Sequence, residues 1–128
     1  MERLYIERTK STPEIDFDPS NNILKISGQS YPENAFKFYE PIFQWVDDYI
    51  KEIQGELLIE IEFKMPYINS SSSKCIIMLL DKFQEAFDSG KDIIINWYYD
   101  EENESTIECA EEFKEDLTLP FNLLDCRR

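Results

Sequence analysis

The sequence predicts an α/β fold, a mixed sheet of four to five strands with helices mainly on one face. Three observations lead there. Leu57, Ile59, Ile61, Phe63 and Met65 alternate with Leu58, Glu60, Glu62 and Lys64, the two-residue period of a strand with one buried face. Phe36–Ile50 and Ile76–Phe87 carry apolar residues at helical spacing on either side of that strand. The resulting order, β-β-α-β-α-β-α, calls for parallel crossovers around the central strand, and the charged outer residues of that strand argue against helices on both faces.

Leu4–Ile6 reads as a first short strand, followed by a polar, turn-rich stretch in which Ile15 and Phe17 continue a ribbon. Ile23–Ser27 is a strand with Leu24 and Ile26 on one face, ended by a turn at Gly28; the opening strands are expected to be antiparallel neighbours. Asn34 is placed to cap a helix over about Ala35–Gln54, with Phe36, Tyr39, Ile42, Phe43, Val46, Tyr49 and Ile50 facing inward. Pro41 removes one helical hydrogen bond, so this helix either kinks there or begins its regular part there, and Gly55 is expected to end it. Pro66 stops the central strand. Ile76, Ile77, Leu79, Leu80, Phe83 and Phe87 then form the inner face of a second helix, with Ser89-Gly90 as its stop.

Asp92–Tyr99 is the last main strand, with Ile93, Ile95, Trp97 and Tyr99 on one side and Ile94, Asn96 and Tyr98 on the other. Its aromatic end reads either as core or as an exposed docking edge. Ser105–Leu117 is a very acidic third helix with Ile107, Ala110, Phe113 and Leu117 inward. Glu111, Glu112, Glu115 and Asp116 oppose its dipole, so its carboxyl end needs a tertiary or binding contact to stay formed. Thr118–Arg128 is too short and proline-interrupted for an assignment.

The 128 residues are most simply one domain, 1–128, burying roughly two thirds of its unfolded surface. An apolar content of 42% lets it fold without disulfide or metal staples. Cys75, Cys109 and Cys126 form no close motif, which fits reduced thiols, and with no secretory or membrane-spanning stretch the chain is expected in the cytoplasm. A net charge of −14 opposes nucleic-acid binding and docking on anionic lipid, and suits a protein partner with a basic patch.

Histidine is absent, so neither a Ser-His-Asp nor a Cys-His pair can form, and no histidine metal ligand exists. There is no glycine-rich phosphate loop or dinucleotide fingerprint. Asp100, Glu101, Glu102 and Glu104 lack the ligand spacing of a calcium loop and read as a solvated turn and helix cap. No catalytic residue, metal or cofactor is expected. The run Ser70-Ser71-Ser72-Ser73-Lys74, at the junction of strand and helix, has two readings. One serine can serve the helix as a cap. Alternatively one hydroxyl accepts a phosphate, which the helix amino end favours and Lys74 helps to hold.

Three blocks carry a resemblance: Tyr31-Pro32-Glu33-Asn34, then Tyr67-Ile68-Asn69-Ser70-Ser71-Ser72, then Trp97-Tyr98-Tyr99-Asp100 with Glu102-Asn103-Glu104. Together, and in this order, they resemble the SiaC family of bacterial regulatory phosphoproteins over nearly the whole chain. The resemblance implies a STAS-like fold, that of anti-sigma factor antagonists. It also implies reversible phosphorylation by a dedicated Ser/Thr kinase, removal by a PP2C-like phosphatase, and binding of the unphosphorylated form to a diguanylate cyclase. The family's acceptor falls on Ser70, where the familiar form has threonine. Asn69, Ser71, Ser72 and Lys74 form its neighbourhood, and Tyr31, Pro32, Glu33, Asn34, Tyr98, Asp100 and Asn103 become candidate partner contacts. The expected function is therefore a non-enzymatic switch, against a phosphorylation-independent acidic adaptor as runner-up. A carboxylate-based hydrolase is a third class, kept only because Asp and Glu are abundant.

Overall fold

A computed structural model describes residues 1–126. Nine elements follow in chain order: β1 (Leu4–Ile6), β2 (Glu14–Asp18), β3 (Ile23–Ser27), α1 (Ala35–Glu52), β4 (Leu58–Lys64), α2 (Ser70–Asp88), β5 (Asp92–Tyr99), α3 (Glu104–Glu115) and β6 (Phe121–Asp125). The strands form one sheet in sequential order, antiparallel from β1 to β3 and parallel from β3 to β6. Each parallel step is crossed by one helix, and crossovers of one hand between successive neighbours put all three helices on the same face. The strand order never reverses, so the sheet has no switch-point crevice of the kind that holds nucleotides in doubly wound enzymes.

Register explains the two faces. Phe17, Leu24, Ile61, Ile95 and Phe121 lie side by side across five strands, and all are buried. One residue along, Asp16, Lys25, Glu62, Asn96 and Asn122 make the corresponding row on the open face. Arg3 Nε donates to Asp16 at 2.7 Å and Asn122 Nδ2 to Asn96 at 3.1 Å, so this row is tied at both ends. The buried row meets Tyr39, Ile42 and Val46 of α1, Ile76, Leu79, Leu80 and Phe83 of α2, and Ala110 and Phe113 of α3 in one core. Trp97 stacks on Phe63 at 4.7 Å and packs on Phe113 at 5.5 Å, which fastens α3 to the sheet.

The expected α/β class with helices on one side is observed, but the sheet has six strands, not four to five. Glu14–Asp18 is a full strand between the two expected at the start, and Phe121–Asp125 adds a parallel edge strand inside the proline-interrupted tail. Arg127 and Arg128 lie outside the described residues. Gly55 does not end α1: the chain leaves the helix at Ile53, which is buried, and Gly55 follows in the turn at φ 86°. The helix also runs unbroken from Ala35 through Pro41, since Pro41 and Lys37, whose carbonyl loses its usual partner, both face solvent. Leu57 is 46% exposed because strand pairing starts only at Leu58. Phe36 and Ile77, expected inward, are also exposed.

Ile61 occupies the centre of the buried row, at 0% exposure. Ile61→Asp places an unpaired charge there and should cost more than about 4 kcal/mol, enough to abolish a cooperative melt by circular dichroism. An unchanged melting curve would contradict a register that points Ile61 into the core.

Candidate functional site

The three parallel strands β3, β4 and β5 end at one rim of the sheet, and each is followed by a helix that starts there. An asparagine caps every one, including α2, where the sequence reading gives the cap to a serine and the structure gives it to Asn69. Asn34 Oδ1 accepts from the Lys37 amide at 3.1 Å, Asn69 Oδ1 from the Ser72 amide at 2.8 Å, and Asn103 Oδ1 from the Thr106 amide at 3.3 Å. Asparagine suits the position because its side-chain oxygen satisfies a donor that has no partner within the first turn. The candidate residues Glu33, Asn34, Asn69, Ser70, Ser71 and Asn103 are thus gathered at one edge of the molecule.

Further hydrogen bonds lock the rim. Beyond β3 and β4 the pairing continues as a parallel bridge between Ser30 and Ile68. The Ser30 amide donates to Tyr67 O at 2.8 Å, and the Asn69 amide donates to Ser30 O at 3.0 Å. Asn103 Nδ2 and Thr106 Oγ1 both donate to Pro66 O at 2.8 Å, joining the start of α3 to the turn before α2. The Asp100 carboxylate accepts from the Glu102 amide at 3.0 Å and shapes the turn after β5. Tyr31 lies edge-on to Tyr67 with ring centroids 5.9 Å apart; Pro32 beside it is half-buried.

The four serines that sequence leaves equivalent are separated by the fold. Ser70 and Ser71 are exposed on the first turn of α2, and Lys74 is exposed one turn after Ser70. Ser72 is fully buried, and its hydroxyl accepts from Ser30 Oγ at 2.8 Å. Ser30 Oγ also lies 2.8 Å from the Tyr39 hydroxyl. A serine has one proton, so with Ser30 donating to Ser72, Tyr39 must donate to Ser30. Burial holds the Tyr39 phenol well above its ordinary pKa and so keeps this donor protonated. Ser73 is half-buried and lines the same cavity as Cys109, whose thiol pKa is raised chiefly by burial.

Tyr98 is not part of this cluster. It stands on the open face of the sheet, with Lys25, Glu62 and Lys64, beside a cavity of about 300 Å³. Burial, then Glu62 and Glu60, raise its pKa, which keeps it a neutral phenol. Three residues important at the rim, Ser30, Tyr39 and Thr106, are absent from the sequence-derived candidates. Ser30 adjoins the Tyr31 block, and Tyr39 has the spacing of plain core; nothing in the sequence signals that Thr106 reaches Pro66. Among the described residues no group of three or more Cys, Asp or Glu is placed to hold a metal ion, and no helix is long and apolar enough to cross a membrane.

The geometry defines a class: an α/β domain with a one-sided sheet and exposed hydroxyls at a rim of asparagine-capped helices. Comparison with known proteins makes it particular. The model of the family described as SiaC family regulatory phosphoprotein matches residues 6–126, and the chain belongs to that family. An uncharacterized protein of Pseudomonas aeruginosa strain UCBPP-PA14 is 36% identical over 121 residues, 94% of each chain. The crystal structure of apo-SiaC from Pseudomonas aeruginosa superposes with a TM-score of 0.90 at 35% identity, covering 97% of this chain and 99% of that one. A chain from the crystal structure of the diguanylate cyclase SiaD in complex with its activator SiaC, also from Pseudomonas aeruginosa, gives 0.89 at 35% identity, covering 95% and 98%.

The contrast between Ser70 and Ser72 yields a stability test. Ser72→Ala strands the buried Ser30 donor and should cost about 1–3 kcal/mol, whereas Ser70→Ala should stay within about 0.5 kcal/mol. Urea unfolding of the two variants checks it; equal stabilities would mean the buried hydroxyl chain is not formed.

Proposed function

We propose that this chain is a non-enzymatic cytoplasmic switch, one domain over residues 1–128, whose binding to a signalling partner is set by reversible phosphorylation of Ser70. One observation supports the site: Ser70, like Ser71, is exposed on the first turn of α2, while Ser72 is sealed in the core, and the family resemblance selects Ser70 of the exposed pair. A kinase can reach the first without disturbing the fold. It cannot reach the second until Ser30 and Tyr39 let go.

The local chemistry supports a phosphate at that place. The amino end of α2 presents the positive end of its dipole, and Lys74 stands at the i+4 position, from which an ammonium reaches a group on Ser70. Asn69 is already engaged as the cap, and Ser71 stands exposed beside the site. A dianion added at the rim changes what Tyr31, Pro32, Glu33, Asn34, Asp100 and Asn103 present to a partner and leaves the core untouched. Tyr98, on the open face, is a contact only for a partner that wraps that edge. The partners in this reading are a cognate Ser/Thr kinase, a PP2C-like phosphatase and, by likeness to the SiaC that activates SiaD, a diguanylate cyclase. Its fold is taken as STAS-like, and the unphosphorylated form is the one that engages the effector.

The test uses the cognate kinase and the effector from the same organism. Wild-type protein should take up one phosphate, mapped by fragmentation mass spectrometry to Ser70, and Ser70→Ala should take up none while melting within a few degrees of wild type. Phosphate on Ser71 or Ser73 would overturn the assignment. Ser70→Asp is a poor substitute for the modified form, having one charge and two acceptor oxygens, so phosphorylated and unphosphorylated wild type are the pair to compare. Equal effector affinities for the two would leave the acidic adaptor as the better description.

A further inference from the structure

Between α2 and α3 runs a groove that the switch does not use. Its floor is apolar: Leu80 and Phe113 are buried, Leu117 is half-buried, and Ile77 stands 47% exposed on the α2 wall. The open volume is about 260 Å³. An apolar cavity of about 150 Å³ accepts a benzene ring, so the groove has room for one or two anchoring side chains. Asp81, Glu112 and Asp116 stand among its lining residues, and Glu108, Glu111 and Glu115 continue the negative surface along α3.

The lining residues follow helical spacing, so the groove runs along about two turns of each helix. Ser73, Ile77, Leu80 and Asp81 fall on one stripe of α2, and Cys109, Glu112 and Phe113 on the facing stripe of α3, continued past its end by Asp116 and Leu117. The charge along α3 is also misplaced for the helix itself. Glu111, Glu112 and Glu115 crowd the carboxyl half of the helix, where the dipole favours cations, and Lys114 is the basic residue of the last turn. The ion pairs Arg3–Asp16 and Lys82–Asp47 both lie away from α3. What holds the exit of α3 is neutral: Gln84 Oε1 accepts from the Thr118 and Leu119 amides at 2.9 and 3.2 Å.

We propose that the α2–α3 groove docks a basic amphipathic segment of a partner protein, with apolar anchors between Ile77 and Phe113 and lysines or arginines against Glu112 and Asp116. Charge complementarity selects that occupant: an acidic or neutral helix would leave the rim carboxylates facing like charge or bare apolar surface. The proposal goes beyond the switch and stands without it, because the groove is complete in the unphosphorylated chain.

The probe is a labelled synthetic helical peptide of about 18 residues, with leucines at i, i+3, i+4 and i+7 and lysines on the remaining faces, against a scrambled peptide of identical composition. Fluorescence anisotropy with unphosphorylated wild-type protein should show the amphipathic peptide binding at least about tenfold more tightly than the scramble. Ile77→Asp separates groove from charge. It adds a negative charge, yet it should weaken the amphipathic peptide by about tenfold, and because Ile77 is half-exposed the fold survives. Glu112→Gln with Asp116→Asn should weaken it several-fold and flatten its salt dependence. Amide shifts in a labelled sample should concentrate on residues 73–81 and 109–117. Equal binding of the scramble, undiminished binding to Ile77→Asp, or shifts confined to another surface would each overturn the proposal, with no bearing on where the phosphate goes.

Discussion

The whole molecule hangs on burial of one side of its sheet. Phe17, Leu24, Ile61, Ile95 and Phe121 sit in register across five strands, and every helix contributes to the one core on that face. Because side chains alternate along a strand, placing these five inward forces Asp16, Lys25, Glu62, Asn96 and Asn122 outward. The polar row could not accept a helix layer without losing its solvation, so the crossovers are driven to the other face. Sequential order and one-sided helices then leave the carboxyl ends of β3, β4 and β5 at a common rim. The place of the candidate site is a consequence of where the core is.

That rim is held by small polar groups. Ser30 joins the turn after β3 to α2 through its backbone, and to both Ser72 and Tyr39 through its hydroxyl. Pro66 O collects Asn103 and Thr106 and so fastens α3 to the same turn. These bonds run from the buried hydroxyls of Ser30, Ser72 and Tyr39 out to the buried Thr106 and the half-buried Asn103, and inside, an unmade bond is costly and a made one fixes geometry. The exposed hydroxyls of Ser70 and Ser71 stand outside this network, on a support that it holds fixed.

Family membership and the close structural likeness to SiaC fit this arrangement, since the likeness spans almost all of both chains. In the SiaC–SiaD complex a protein of this shape engages a diguanylate cyclase as its activator. Two surfaces on this chain are the ones proposed for protein contacts. The rim carries the accessible hydroxyls, and the α2–α3 groove carries an apolar floor among carboxylates. Both are built from α2, which begins at Ser70 and passes through Ile77.

Much of the fold is legible from the sequence, and the reason is local. Alternation in Leu57–Met65 and Asp92–Tyr99, helical spacing in Phe36–Ile50, and Asn34 ahead of the first helix are short-range patterns that packing reinforces. The elements that escape depend on distant partners. Phe121–Asp125 is a strand because β5 offers it an edge, and Ile53 ends α1 because the core claims its side chain. The four consecutive serines are the sharpest case. Sequence determined that hydroxyls stand at a helix start. Only the tertiary structure turned Ser72 toward Ser30 and Tyr39 and left Ser70 in water, because a helix rotates successive residues by about 100° and the core lies on one side of it.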